Sequence, residues 1–270
     1  MKTVCVIGGS RYFGRELVLN LRDAGVGVTV VNRGSVAPPP GVEHLVTDRA
    51  DLAGVLGSRT FDVVVDQVCY TPADAEAAVD AFTNRTGRYV MTSTIEVYEH
   101  LRAKAPLPET AVDPHVAAPE GYGEGKRQAE AVFAARAPFD FVSVRSGHVL
   151  GGDDFTGRLA HYLDRVREGR PVVVHQENHP SSFIHHREIA EFLGWAAFAD
   201  FTGPVNACSH GELTVYDLCA HIPGEPLFVV GEDVSPYAFG HYYGMDNARA
   251  TELGFSFSHT KNWLPEVIGA

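Results

Sequence analysis

The 270-residue chain is 45% hydrophobic and 21% charged, a composition that buries a sizeable core and excludes a disordered chain. Its formal net charge of −12, from 34 acidic against 22 basic residues, argues against nucleic acid or an anionic membrane as a main partner, since such a surface repels phosphate. No apolar run approaches the roughly 20 residues that span a bilayer, and the apolar run after Lys2 is too short for a signal-peptide core, so a cytoplasmic location is expected.

In chain order, residues 3–7 read as a strand that enters the glycine turn Gly8-Gly9-Ser10-Arg11-Tyr12-Phe13-Gly14. The spacing of Leu17, Leu19, Leu21 and Ala24 predicts a helix over 14–24. Strands are predicted at 26–31, 45–47, 62–68, 88–92 and 139–145, with helices at 73–82 and 124–135. Residues 36–41, with Pro38-Pro39-Pro40, and the Pro- and Ala-rich 103–119 read as loops. Beyond Gly151 come a helix over 157–168, a β-like 171–175, a helix over 187–198 and an aromatic-rich tail. Strands alternating with helices predict an α/β fold, a doubly wound parallel sheet of the Rossmann type with a small C-terminal substrate lobe. The expected division is a dinucleotide-binding domain over 1–150, to which 171–200 returns, and a lobe made of 151–170 and 201–270. Cys5, Cys69, Cys208 and Cys219 are widely spaced and read as buried free thiols, and no metal site is expected.

The first βα turn carries the cofactor expectation. Glycines permit a sharp turn and let backbone N–H groups approach a pyrophosphate at a helix N-terminus, so Gly8, Gly9, Ser10, Arg11, Phe13 and Gly14 are assigned to cofactor binding. An NAD-selective site usually sets an acidic residue at the end of the second strand, where this chain has Asn32 and then Arg33. Two guanidinium groups, Arg11 and Arg33, suit a 2′-phosphate and favour NADP(H) over NAD(H). Asp48, after the third strand, is a candidate partner for the adenine amino group.

Tyr122 and Lys126 stand four residues apart, on one face of a helix. A neighbouring ammonium lowers a phenol's pKa, and a phenol so tuned can exchange a proton with a substrate oxygen. Thr94 precedes them at the end of a strand, in Ser93-Thr94-Ile95-Glu96-Val97-Tyr98.

With these segments the chain resembles the short-chain dehydrogenase/reductase superfamily, in its extended branch of NAD(P)-dependent epimerases and dehydratases. The resemblance continues through Arg145-Ser146-Gly147-His148-Val149-Leu150-Gly151, Phe183-Ile184-His185-His186-Arg187-Glu188-Ile189-Ala190 and Pro204-Val205-Asn206-Ala207, and so covers nearly the whole chain. It implies Thr94 as the hydroxyl partner, Tyr122 as the acid/base and Lys126 as the residue holding the cofactor ribose. It also implies a small-molecule or nucleotide-sugar substrate and is compatible with a homodimer.

Two departures bear on the reaction. Arg11 stands where the family usually has glycine, although a branch with Gly-Gly-Thr-Arg-x-x-Gly, which includes plastid RNA-binding relatives, shares it. Sugar-nucleotide dehydratases carry Thr-Asp-Glu before Val-Tyr. Here Ile95 replaces the Asp, which disfavours complete dehydration, while Glu96 remains either a base for a carbon-bound proton or a solvent-facing acid. His148, His185 and Arg158 are candidate substrate contacts, with Arg158 as an anchor for an anion. The reading is an NADP(H)-dependent oxidoreductase or epimerase; the alternative is a non-catalytic NADP-binding sensor or RNA-associated protein of the same fold.

Overall fold

Seven all-parallel strands form the central sheet because the strands are apolar on both faces, as burial between two helical layers requires. A computed structural model describes residues 1–113, 116 and 118–269. From the N-terminus come β1 (Thr3–Ile7), α1 (Tyr12–Asp23), β2 (Gly27–Asn32), β3 (Glu43–Val46), α2 (Leu52–Leu56), β4 (Phe61–Asp66), α3 (Pro72–Phe82) and β5 (Thr86–Thr94). Then follow α4 (Tyr122–Arg136), β6 (Asp140–Ser146), β7 (His148–Leu150), α5 (Arg158–Arg167), β8 (Val172–Val174), β9 (Phe183–His185) and α6 (His186–Ala196). The chain closes with β10 (Gly203–Ala207), α7 (Val215–Ala220), β11 (Phe228–Val230), α8 (Ala248–Glu252) and α9 (Thr260–Ile268).

The sheet order is β10-β6-β5-β4-β1-β2-β3, and the side on which successive strands are added switches between β1 and β4. This is the doubly wound Rossmann arrangement, and a crevice opens where the order reverses. Alternation along β1 assigns its side chains to two cores. Val4 and Val6 pack with Leu17 and Val18 of α1 and Ile189 and Phe192 of α6. Cys5 and Ile7 pack on the opposite face with Ala78 and Phe82 of α3 and Phe133 of α4. All four cysteines are free and buried.

A third core joins α5, α7 and α9 with β8 and β11, through Tyr162, Val172, Leu218 and Trp263. Two segments differ from the sequence-based division. Residues 203–207, assigned to the lobe, form β10 and extend the main sheet beside β6, with Asn206 opposite Arg145. Residues 172–174, expected to return to the main domain, pair instead with β11 in the lobe. The reason in each case is pairing register: a three- to five-residue strand joins whichever edge its neighbours present, and composition does not reveal which. The loop expected at 103–119 is only partly a surface loop. Leu107 bridges to Met245, and Glu109 is buried with its carboxylate accepting from the Asn206 amide at 2.8 Å. Residues 114, 115 and 117 of that loop lie outside the described residues. No helix among the described residues is long and apolar enough to cross a membrane.

Candidate active site

A cleft of about 990 Å³ runs along the C-terminal ends of the strands, from the glycine turn to the lobe. Gly8 and Gly9 turn the chain out of β1 at φ +97° and +76°, values a side chain resists. A Cβ on Gly14 would overlap the Gln67 amide, so this glycine admits a side chain from the loop after β4 rather than the strand itself. Arg11 occupies the N-cap of α1 without any side-chain cap, leaving the helix's first N–H groups for an anion in the cleft. Tyr12 fixes the turn to the lobe: its hydroxyl donates to the Val149 carbonyl at 2.8 Å.

Asn32 and Ser10 line the cleft but also bond to each other. The Asn32 amide donates to Ser10 Oγ at 2.6 Å, and Asn32 Oδ1 accepts from the Gly34 amide at 2.6 Å. Phe13 and Asp48 line the cleft too, and Asp48 accepts from the Ala50 amide at 3.2 Å. Arg11 and Arg33 are exposed at its rim, and neither forms an ion pair among the described residues. Arg11 instead lies 5.9 Å from the Phe155 ring centroid.

Thr94 ends β5, and its hydroxyl accepts from the Glu96 amide at 3.2 Å, opening a tight turn over Ile95–Tyr98. Tyr122 begins α4, and Lys126 follows one turn later, 1% exposed, its ammonium donating to the Thr92 carbonyl at 2.8 Å. A Cβ on Gly123 would overlap the Glu96 carbonyl oxygen, so glycine here brings α4 against the turn that carries Thr94 and Glu96. The Tyr122 ring is 53% exposed, but its hydroxyl sits among Glu96, Tyr70, Arg158 and Thr94.

The electrostatics correct one expectation. Burial pushes the Tyr122 phenol up to about 12, with Tyr70 and Glu96 adding to the rise and Arg158 and a hydrogen bond from Thr94 opposing it. Burial outweighs whatever the Lys126 ammonium contributes. That group points at aromatic faces, 4.6 Å from the Tyr70 centroid and 5.8 Å from that of Tyr122, and its own pKa falls to about 8 through burial.

Glu96 is not a solvent-facing acid. Its side chain is 26% exposed, and burial, with Glu99 nearby, lifts its pKa to about 7. His148 Nδ1 lies 3.8 Å from Glu96 Oε1, but burial and then Arg158 lower the imidazole to about 3, so the pair is not ionic at neutral pH. Phe183, Tyr237 and Phe239 surround that imidazole, with ring centroids 5.0–5.4 Å away. Arg158 begins α5 and lines the cleft, 6.0 Å from the Tyr237 ring.

His185 is not among the lining residues. It is buried against Trp263, with centroids 5.6 Å apart, and against His186 at 4.4 Å. In the β7–β9 register His148 stands opposite Phe183, and His185 lies two positions further along, about 7 Å beyond that level. Arg49, Gln67 and Tyr70 are among the lining residues that the sequence did not single out. Arg49 donates twice to the buried Asp66 at 2.8 Å, while Gln67 and Tyr70 follow β4. The loop position after β4, next to the strand-order reversal, was the signal available for the last two.

Fold and cleft together define a Rossmann-type α/β protein built around a dinucleotide crevice. The chain belongs to the NAD dependent epimerase/dehydratase family, whose profile matches residues 4–206. No curated protein matches it in sequence. Among solved structures it is similar to the Bordetella bronchiseptica enzyme WbmH in complex with NAD+, at 19% identity and TM-score 0.80, over 100% of this chain and 98% of that one. It is also similar to UDP-glucose 4-epimerase from Thermotoga maritima with UDP-glucose, at 16% identity and TM-score 0.80, over 99% and 97%. dTDP-glucose 4,6-dehydratase from Bacillus anthracis in complex with NAD matches at 13% identity and TM-score 0.81, over 100% and 96%.

Proposed function

We propose that the chain is an NADP(H)-dependent epimerase or oxidoreductase acting at a hydroxyl-bearing carbon, with Tyr122 as the acid/base. The observation that carries this reading is the convergence of Thr94, Tyr122 and Lys126 on the same cleft as the glycine turn. The cofactor half fits a nicotinamide dinucleotide: positive-φ glycines and an uncapped helix start suit a pyrophosphate, and the Gln67 amide nitrogen is buried there without a partner. Lys126 would hold the ribose, and Arg11 and Arg33 a 2′-phosphate. When bound, the dinucleotide supplies a hydride acceptor and donor at the substrate carbon.

The protein's own groups handle protons. Tyr122 Oη, assisted by Thr94, would take the substrate hydroxyl proton as the phenolate when a carbonyl forms, and donate it as the phenol when the carbonyl is reduced. A Tyr122 pKa near 12 in the free cleft favours its protonated form, so the phenol is poised to donate to a carbonyl. Glu96, with a pKa near 7, is partly ionised at neutral pH and can remove a proton from the carbon beside that carbonyl, as epimerisation requires. Ile95, 1% exposed, offers no acid for water elimination, so net dehydration is disfavoured. Support for NADP(H) is the Asn32-Arg33 pair in place of a carboxylate at the end of β2, even though solved relatives were crystallised with NAD.

The test is Tyr122→Phe, read by NADPH fluorescence titration and by turnover of hydroxylated substrates. Binding should change less than about threefold, and turnover should fall by about 10²–10⁴. Unchanged turnover would sink the mechanism. Tighter binding of NADH than NADPH by the native protein would sink the cofactor assignment alone.

A further inference from the structure

We infer that the substrate half of this cleft takes a compact polyhydroxylated monocarboxylate, its carboxylate on Arg158, and not a nucleoside diphosphate sugar. The inference rests on the dinucleotide reading above, which assigns Arg11, Arg33 and Lys126 to the cofactor half, while Arg49 is paired with the buried Asp66.

Across from that half the charge balance is acidic. Glu96, Glu99 and Asp154 line the cleft with Arg158, and Asp154 also borders the glycine turn, where its neighbour Phe155 meets Arg11 at 5.9 Å. His148 adds no positive charge, because burial among aromatics keeps its imidazole neutral. A diphosphate would bring two negative charges against three carboxyl groups and one guanidinium, whereas one carboxylate matches the single planar fork of an arginine. Arg158 lines the same cleft as Tyr122 and Glu96, beside the Tyr237 ring at 6.0 Å, so an anion bound to it shares the pocket with the reacting oxygen and suits a short molecule.

Two unpartnered atoms supply the second line of support. His148 Nε2 and Asp154 Oδ2 are buried without a hydrogen-bond partner, in residues that line this half, and His148 is 6% exposed. Buried polar atoms are rarely left unpaired, so the two atoms mark unmet hydrogen-bonding capacity in residues beside the cleft. An ionised carboxylate oxygen only accepts, and an imidazole nitrogen donates or accepts according to its tautomer. Hydroxyl groups satisfy both, while a phosphate would set a second anion against Asp154.

The experiment is calorimetric titration of the NADPH-saturated full-length protein with D-gluconate, D-glucose and UDP, repeated on Arg158→Leu and Arg158→Lys. D-gluconate should saturate below about 10 mM, and UDP should bind at least tenfold more weakly. Arg158→Leu should weaken D-gluconate at least tenfold, Arg158→Lys should recover part of the loss, and D-glucose should respond to neither. Tighter binding of UDP than D-gluconate overturns the inference, as does failure of D-gluconate to saturate or its indifference to Arg158→Leu. A protein that takes up no NADPH overturns the cofactor reading, and this inference with it; UDP saturation with NADPH bound overturns this inference alone.

Discussion

Lys126 and Tyr70 form a cation–π pair, with the ammonium 4.6 Å from the ring centroid while its hydrogen bond goes to the Thr92 carbonyl. The loop after β4 thus roofs the lysine that would hold the cofactor ribose. A cation–π contact of this kind contributes about 0.5–2 kcal/mol, and the ring also shields the ammonium from water. Tyr70→Ala should weaken NADPH binding about 3- to 30-fold, while Tyr70→Phe, which keeps the ring, should bind nearly normally. Because burial is the main cause of the low Lys126 pKa of about 8, exposure in Tyr70→Ala should also move the alkaline loss of NADPH binding upward. Fluorescence titrations of both variants between pH 6 and pH 10 measure the two effects.

Glu96 should leave opposite signatures in activity and stability. As a base it must be ionised, so epimerisation or exchange of a carbon-bound proton should rise with pH through about 7, and Glu96→Gln should abolish that limb. For folding, the native carboxyl holds a proton that the unfolded chain releases above 4.5, so Glu96 costs stability increasingly as pH rises from 4.5 to 7. Glu96→Gln should therefore raise Tm more at pH 8 than at pH 5. Solvent-deuterium exchange and thermal denaturation at the two pH values separate the roles.

Much of the sheet was legible because a strand covered on both faces reads as a continuous apolar run, as in Val4–Ile7 and Val63–Val65. Thr94, Tyr122 and Lys126 were legible because their spacing is local: one strand end and one helical turn. What failed depended on distant pairing. Tyr70 reaches Lys126 because β4 and β5 are neighbours in the sheet and the start of α4, at Gly125, lies against the Tyr70 backbone. Tyr237 reaches His148 only through the fold of the lobe. His185 is packed against Trp263 and His186, two positions along β9 from the level of His148, and the residue type alone does not give that level. The phenol's raised pKa is not legible in the sequence because helical spacing gives the distance between Tyr122 and Lys126 but not the burial that raises the phenol.

Gly123 tests whether close approach of α4 to the Ile95–Tyr98 turn positions Tyr122. A methyl group there would overlap the Glu96 carbonyl oxygen, which is backbone and cannot rotate away. Overpacking of this kind costs about 1–3 kcal/mol, and its relief by movement of α4 would draw Tyr122 away from Thr94. Gly123→Ala should lower Tm and cut turnover by at least tenfold, with a smaller effect on NADPH binding. Gly87→Ala, where an added Cβ meets nothing nearer than 4.0 Å, is the control and should do neither.

Beneath the site, Glu130 of α4 and Arg145 of β6 form a buried pair at 2.7 Å, which Ser93 and Ser143 complete with hydroxyls 2.5 and 2.6 Å from the Glu130 carboxylate. Burial raises the Glu130 pKa, but Arg145 and the two serines outweigh it and hold the carboxyl below its usual range. Ser93 precedes Thr94 and Glu130 follows Lys126 by one turn, so the pair locks the strand end to the helix that together carry the reacting groups. Removing one partner leaves the other charge buried and uncompensated, at about 3–5 kcal/mol. Glu130→Gln should therefore cost that order of stability, and Glu130→Gln with Arg145→Met should cost less than the two single changes added together. A depressed carboxyl pKa stabilises the fold above its unfolded value near 4.5 and loses that contribution as pH falls through the native value. The destabilisation by Glu130→Gln should accordingly be full at pH 7 and shrink below pH 4.5, in a denaturant series run at each pH; an equal deficit at both would mean that lost packing, and not the charge pair, holds α4 against the sheet.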